Sequence, residues 1–259
     1  MLYKLSKKSN LKSILTIPTL FFCICTASSL QAQLDIEWGF NLPVPGGYCE
    51  TIIDADGNIY ITGAYEDVVD FDPGPGTQEL SSSGDFDIFF AKYDANGNYI
   101  FAYSIGGTGE DISNSIIVDE EGSIFLSGYA EDSADYDPGP DMNYHGTGNG
   151  IDNFFVKYNS SGALQFVKTI WNNSTNFKMN IDISGNICIA GKYVNTVDFD
   201  PDAGVANVTS YEEDDVDLFV AKYDQYGNYI YAFGINGPDD SEPFLKCINT
   251  DNNGNVYIT

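Results

Sequence analysis

The sequence predicts an all-β fold made of repeated four-stranded sheets, and three observations carry that expectation. Three motifs recur in the same order, at a spacing of 63 to 69 residues for the first of them. Between them lie short runs rich in Ile, Val, Phe and Tyr, separated by turns that place Asp or Asn before Gly. No stretch sustains a helical apolar period, so helices are expected to be few.

The first motif reads DADGNIYITG (54–63), DEEGSIFLSG (119–128), DISGNICIAG (182–191) and DNNGNVYIT (251–259). A second is VDFDPGPG (69–76), ADYDPGPD (134–141) and VDFDPDAG (197–204). The third is FDIFFAKYDANGNYIFAYSI (86–105), IDNFFVKYNSSGALQFVKTI (151–170) and VDLFVAKYDQYGNYIYAFGI (216–235). Each unit is expected to hold four strands. The first leads into the Asp-Gly turn around Thr51–Asp54, and the second runs from Ile59 towards Phe71. The third is Ile88–Tyr93 and the fourth Tyr99–Ile105. Gly in each turn supplies the positive φ that a short hairpin needs. A calcium reading of DADGN fails on ligand order, because the bidentate Glu that closes an EF-hand loop is missing.

Four strands per unit at this spacing suit the blades of a β-propeller, whose sheets pack face to face around an axis. A parallel β-helix would need much shorter rungs. Approximate units are 46–105, 106–170 and 171–235, with a partial one at 236–259. Ile36-Glu37-Trp38-Gly39-Phe40 matches the fourth strand of later units, Trp38 standing where they have Phe101, Phe166 and Tyr231. The sequence therefore opens on a fourth strand and stops at Thr259, inside a second one. Three complete blades with partial first and last ones make an incomplete ring, as expected of a fragment of a longer product. A short protein that closes by oligomerising is the alternative.

The alternation of D-x-x-G-N-I-Y-I-T-G, V-D-F-D-P-G and D-I-F-F-A-K-Y-D-x-x-G-N resembles the bacterial seven-bladed β-propeller repeat, over roughly residues 34–259. The resemblance implies extracellular or cell-surface proteins, often large, many with a C-terminal sorting signal for outer-membrane secretion. That family has no defined activity, so the resemblance implies a fold and an address without a mechanism.

Residues 1–32 read as a secretory signal peptide. Lys4, Lys7, Lys8 and Lys12 precede a mostly apolar stretch from Ile14 to Leu30, which ends at a small residue, Ala32. Pro18 and the Thr/Ser-rich end weaken the alternative of a membrane anchor. The mature chain, 33–259, then carries seven lysines against 38 acidic residues, a formal charge of −31. Such a field repels nucleic acid and anionic lipid. Aromatic residues at 14% argue against an acidic disordered chain. Beyond the leader only Cys49, Cys188 and Cys247 remain, an odd number without C-x-x-C spacing. Cys188 stands where other units have Tyr60 and Phe125, and a buried apolar thiol is expected there.

The recurrent acidic pairs are the candidate site. Asp70 and Asp72, Asp135 and Asp137, and Asp198 and Asp200 stand two apart before Pro. Residues so spaced on a strand point to one side, and paired carboxylates need a cation, hydrogen bonds or solvent. Calcium with oxygen ligands is one reading, and an Asx-type turn that caps a loop is the other. Asp87, Asp152 and Asp217 recur five residues before Lys92, Lys157 and Lys222, an odd spacing that sets each pair on opposite strand faces. Bonds from the Asp to loop backbone, or from the Lys to a neighbouring blade, are expected. Tyr93, Tyr158 and Tyr223 are expected between blades, with the phenol at a rim.

Catalysis is poorly served. His145 is the sole histidine and stands in a Gly-rich loop as a surface residue, and neither a nucleophile motif nor an Asp-box is present. No catalytic or cofactor-binding residue is assigned. The expected function is a secreted binding or scaffold module whose partner is an extracellular glycan or protein. A polysaccharide hydrolase using carboxylates at the propeller mouth is one alternative. A calcium-stabilised repeat of a larger surface adhesin is the other.

Overall fold

A computed structural model describes residues 2–8, 33–40, 42, 44, 49–146, 150–171, 177–235, 243 and 245–259. The chain divides into two compact units, Met1–Leu42 and Pro43–Thr259. In the first, β1 (Leu2–Lys8) pairs antiparallel with β2 (Gln33–Phe40), with an irregularity between Lys4 and Leu5. A strand does cover Ile36–Phe40, but its partner is β1 in a two-stranded sheet and not the third strand of a blade. The expected signal peptide lies outside the described residues except for 2–8.

The second unit is all-β among the described residues. Its first sheet is a meander of β3 (Cys49–Ile53), β4 (Ile59–Tyr65), β7 (Asp87–Tyr93) and β8 (Tyr99–Ile105). The second holds β9 (Asp111–Val118), β10 (Ile124–Glu131), β13 (Ile151–Tyr158) and β14 (Leu164–Trp171). The third holds β15 (Lys178–Ile181), β16 (Ile187–Val194), β19 (Val216–Tyr223) and β20 (Tyr229–Ile235). A fourth begins with β21 (Ile248–Thr250) and β22 (Val256–Ile258). The first strands of successive sheets neighbour one another, β3 with β9, β9 with β15 and β15 with β21. These are propeller blades with the first strand innermost, and they do not close into a ring.

The second strand does not run on to Phe71 as expected. It ends at Tyr65, and a small ribbon follows: β5 (Val68–Asp70) with β6 (Glu79–Ser81). The later repeats do the same with β11 (Ala134–Asp135) and β12 (Tyr144–His145), then β17 (Thr196–Asp198) and β18 (Asn207–Thr209). The break falls at Asp67, Asp132 and Asn195, whose φ values are 59°, 64° and 60°. Asp and Asn tolerate this left-handed conformation better than β-branched or aromatic neighbours do.

The D-x-x-G-N turns follow the sequence reading. Asp54 Oδ1 accepts from the amides of Asp56 (3.0 Å) and Asn58 (2.8 Å), while Gly57 takes φ 84°. Asp94, Asp182, Asp224 and Asp251 cap their turns in the same way.

The core lies in the seams between sheets. Phe90, Ile105, Ile116, Leu126 and Tyr158 join the first and second sheets. Phe125, Phe155, Ile189, Phe219 and Tyr223 join the second and third. Cys188, Val220, Leu245 and Ile248 continue the series, so the expected burial of the Cys188 thiol is found. Phe90 stacks on Tyr158 and Phe155 lies against Tyr223, both with centroids 4.6 Å apart. Each buried aromatic of this kind contributes about 1.5–3 kcal/mol by leaving water. Near the axis, Lys178 Nζ bonds Glu50 Oε1 at 2.8 Å and the Asn114 carbonyl at 3.0 Å, tying the first strands of three sheets.

Candidate functional site

The acidic pairs sit where each ribbon turns, and an alternating pattern places them. Phe71, Tyr136 and Phe199, the middle residues of the three D-x-D segments, are fully buried. The flanking carboxylates therefore lie on the opposite, solvent-reached side. Asp70 Oδ1 accepts from the amides of Asp72 (3.0 Å) and Gln78 (2.8 Å), and Asp72 Oδ1 from Gly74 (2.8 Å). In the second repeat Asp135 Oδ1 takes Asp137 N and Asn143 N, and Asp137 takes Gly139 N. In the third, Asp198 takes Asp200 N and Ala206 N, and Asp200 takes Asp202 N. The first carboxylate of each pair closes the loop across eight residues, and the second opens a nested Asx turn. Among the described residues no cluster of three His, Cys, Asp or Glu is arranged to hold a metal ion.

The buried corner is anchored from the third strand. Tyr93 Oη donates to the Phe71 carbonyl, Tyr158 to that of Tyr136, and Tyr223 to that of Phe199, each at 2.9 Å. These tyrosines do pack between sheets, but the phenols do not reach a rim. A backbone carbonyl left unpaired by the abrupt corner holds them inside. The corner tyrosine of the second repeat, Tyr136, has a buried hydroxyl without a hydrogen-bond partner.

Asp87, Asp152 and Asp217 are almost wholly buried. Two of them serve loop backbone: Asp87 Oδ2 accepts from Ser83 N at 3.0 Å, and Asp217 Oδ2 from Tyr211 N at 2.6 Å. The lysines differ from expectation, for each reaches across its own sheet to the second strand or its turn. Lys92 Nζ stands over the Tyr60 ring and Lys157 over the Phe125 ring, both 4.8 Å from the centroid. In the third sheet Cys188 replaces the ring, and Lys222 Nζ reaches Asp182 Oδ2 at 2.7 Å.

His145 is half-buried rather than on the surface. Its Nε2 meets Asn143 Oδ1 at 2.8 Å, and its ring stands edge-on to Tyr136. Burial, with Lys168 acting in the same direction, lowers its pKa below 6.5.

The antiparallel meander separates two ends. Ribbons and inter-sheet connections gather at one, and the D-x-x-G-N turns at the other. At the turn end a groove of ≈ 980 Å³ opens between the second, third and fourth sheets. Asp119, Glu120, Glu121, Asp182 and Asp251 line it, with Lys157. Exposed apolar side chains occur at both ends, Ile183 and Tyr226 among the turns and four others at the corner end. Met142 and Val205 are each 76% exposed, Tyr211 56% and Tyr144 55%. Met142 and Val205 leave no mark in the sequence, because isolated apolar residues in a turn-rich segment carry no periodic signal.

No protein-family model matches the chain. Over 205 aligned residues it is 26% identical to an uncharacterized WD repeat-containing protein of Acanthamoeba polyphaga mimivirus, the match covering 69% of this chain. The match spans 15% of the length of that relative. Neither tryptophan here, Trp38 or Trp171, is followed by Asp. The likeness is therefore one of repeated β architecture and not of the Trp-Asp dipeptide itself.

Proposed function

We propose that the chain is part of a secreted or cell-surface β-propeller of the bacterial seven-bladed repeat type, acting as a binding or scaffold module. The observation that carries this reading is the contrast between frame and loops. Sheet, turn and corner repeat residue by residue, whereas the segments leaving the ribbons differ in each repeat. Those at 81–85, 144–150 and 208–215 read SSSGD, YHGTGNG and VTSYEEDD. A rigid frame that presents unlike loops suits recognition, and exposed Tyr144, Tyr211 and Met142 add side chains enriched at interfaces. The partner is an extracellular glycan or protein. The excess of acid over base favours a neutral or cationic surface and disfavours nucleic acid.

A non-catalytic role is supported by the occupation of the repeated carboxylates, each of which caps backbone in every blade. Glycan and protein arrays probed with the full chain test the reading. Binding is expected, and exchange of segment 142–146 for the corresponding loop of another repeat should abolish or redirect it. A chain that binds no extracellular ligand, or hydrolyses a polysaccharide, would overturn it. Export is tested separately by the mature N-terminus, which should begin near residue 33 after secretion.

A further inference from the structure

Two features found only in the second repeat converge on the seam with the first. Among the described first strands, β9 alone opens on an acid, Asp111, where β3, β15 and β21 open on Cys49, Lys178 and Ile248. Its corner carries Tyr136 where the others carry Phe71 and Phe199. Asp111 is fully buried, as is Tyr136, and Asp87 of the first sheet is 1% exposed. Asp111 Oδ2 accepts from the Gly107 amide at 2.7 Å, and Asp87 Oδ2 from Ser83 N and Ser104 Oγ. The other oxygen of each carboxyl, Asp111 Oδ1 and Asp87 Oδ1, is buried without a hydrogen-bond partner, as is Tyr136 Oη. The linker closes over them: a Cβ at Gly106 would collide with the Asp87 carboxylate, and one at Gly107 with the Ser133 carbonyl.

Two buried carboxylates this placed do not both stay ionised, since each unpaired charge is costly away from water. We propose that Asp111 and Asp87 hold a proton in the seam between the first and second blades, which makes that seam a joint that loosens when the proton leaves. The surrounding charges favour retention. Asp87 from β7 and Glu131 from β10 bear on Asp111, while Asp111 and Asp152 from β13 bear on Tyr136, beside which lies the half-buried His145. Burial, opposed by the Gly107 amide and aided by Asp87, pushes Asp111 up to about 8, and burial raises Asp87 as well.

The sign follows from linkage. An aspartate near 3.8 in the unfolded chain and about 8 in the folded one is protonated only in the folded state between those values. Its contribution to stability is full in acid and declines as pH rises towards about 8. Opening of the seam then releases one proton, so the opening equilibrium rises about tenfold per pH unit through neutrality and levels off above the folded pKa.

Hydrogen exchange measured against pH, corrected for intrinsic rates, tests this on the amides of Gly107 and Asp111. The third sheet, on β16 and β19, is the internal reference. The expected result is a slope of one proton at the seam, absent from the reference and abolished in Asp111→Asn. The infrared spectrum of the wild-type chain at neutral pH should also show a protonated buried carboxyl, a readout that needs no variant to fold. Equal slopes in wild type and Asp111→Asn, or no such band, would overturn the proposal. So would a seam whose exchange responds to chelator, because a cation would then balance the pair.

Discussion

Lys222 lies 2.7 Å from Asp182, and this ion pair exists because Cys188 leaves open the space that Tyr60 fills in the first sheet. Where the ring is a tyrosine, its hydroxyl takes the equivalent acid: Tyr60 bonds Asp54 at 3.2 Å and Tyr257 bonds Asp251 at 3.0 Å. One structural position thus has two donors for the capping Asp. Burial alone would raise Asp182, but Lys222, Asn186 and the turn amides outweigh it and hold the carboxyl at about 2. Its stabilising contribution is therefore complete above the ordinary value of 3.8 and is lost as pH falls towards about 2. Lys222→Met should raise the Asp182 pKa and move the acid limb of unfolding to higher pH. A carboxyl-detected NMR titration checks the first outcome and acid denaturation the second.

The three tyrosine anchors should weigh alike. Tyr158→Phe removes the donor to the Tyr136 carbonyl while keeping the ring that stacks on Phe90. The buried carbonyl is left without that donor, at a cost of about 1–3 kcal/mol. Tyr93→Phe and Tyr223→Phe should fall in the same range in urea unfolding. A loss near zero in all three would show that the bond does not hold the corner.

Two turn glycines with similar backbones should respond differently to alanine. Gly162 and Gly185 have φ of 86° and 77°, so each substitution costs about 1–2 kcal/mol in conformation. A Cβ at Gly162 would also run into the Tyr103 ring of the preceding sheet, whereas at Gly185 its nearest neighbour is Gln225 Cβ at 3.6 Å. Gly162→Ala should therefore cost a further ~1–3 kcal/mol from overpacking. Thermal melts of the two variants give the comparison directly.

The corner pairs allow calcium and backbone capping to be separated. Asp198→Asn keeps a side-chain oxygen for the amides of Asp200 and Ala206, so the melting temperature should hardly change. Asp198→Ala should cost about 1 kcal/mol, in the range of a lost side-chain cap. A chelator should leave all three proteins unaffected. A calcium-dependent melt, weakened in the Asn variant, would instead assign the pair to a cation.

Most of the frame was legible in the sequence because the repeat gives four readings of one pattern. The first, third and fourth strands begin and end within two residues of the positions read from Thr51, Ile88 and Tyr99. The second strand was read too long because valines at 68 and 69 continue its β-forming run, while Asp67 carries the break in a single dihedral angle. Asp or Asn at 67, 132 and 195 was the available signal. The direction of Lys92, Lys157 and Lys222 was misread because spacing along one strand says nothing of the ring on the next. Lys178 and Asp111 were invisible for a related reason. Lys178 acts through residues far away in the chain, Asp111 through burial against another sheet, and neither recurs.

The bond from Tyr223 to the Phe199 carbonyl has a consequence for how such chains diversify. Its counterparts at Tyr93 and Tyr158 do the same in the other repeats, so the root of each ribbon is fastened to its sheet before the loop begins. Loop length and sequence can then vary from repeat to repeat while the root keeps its place. Each corner behaves as a socket for an exchangeable cassette, and new specificities can be fitted one blade at a time.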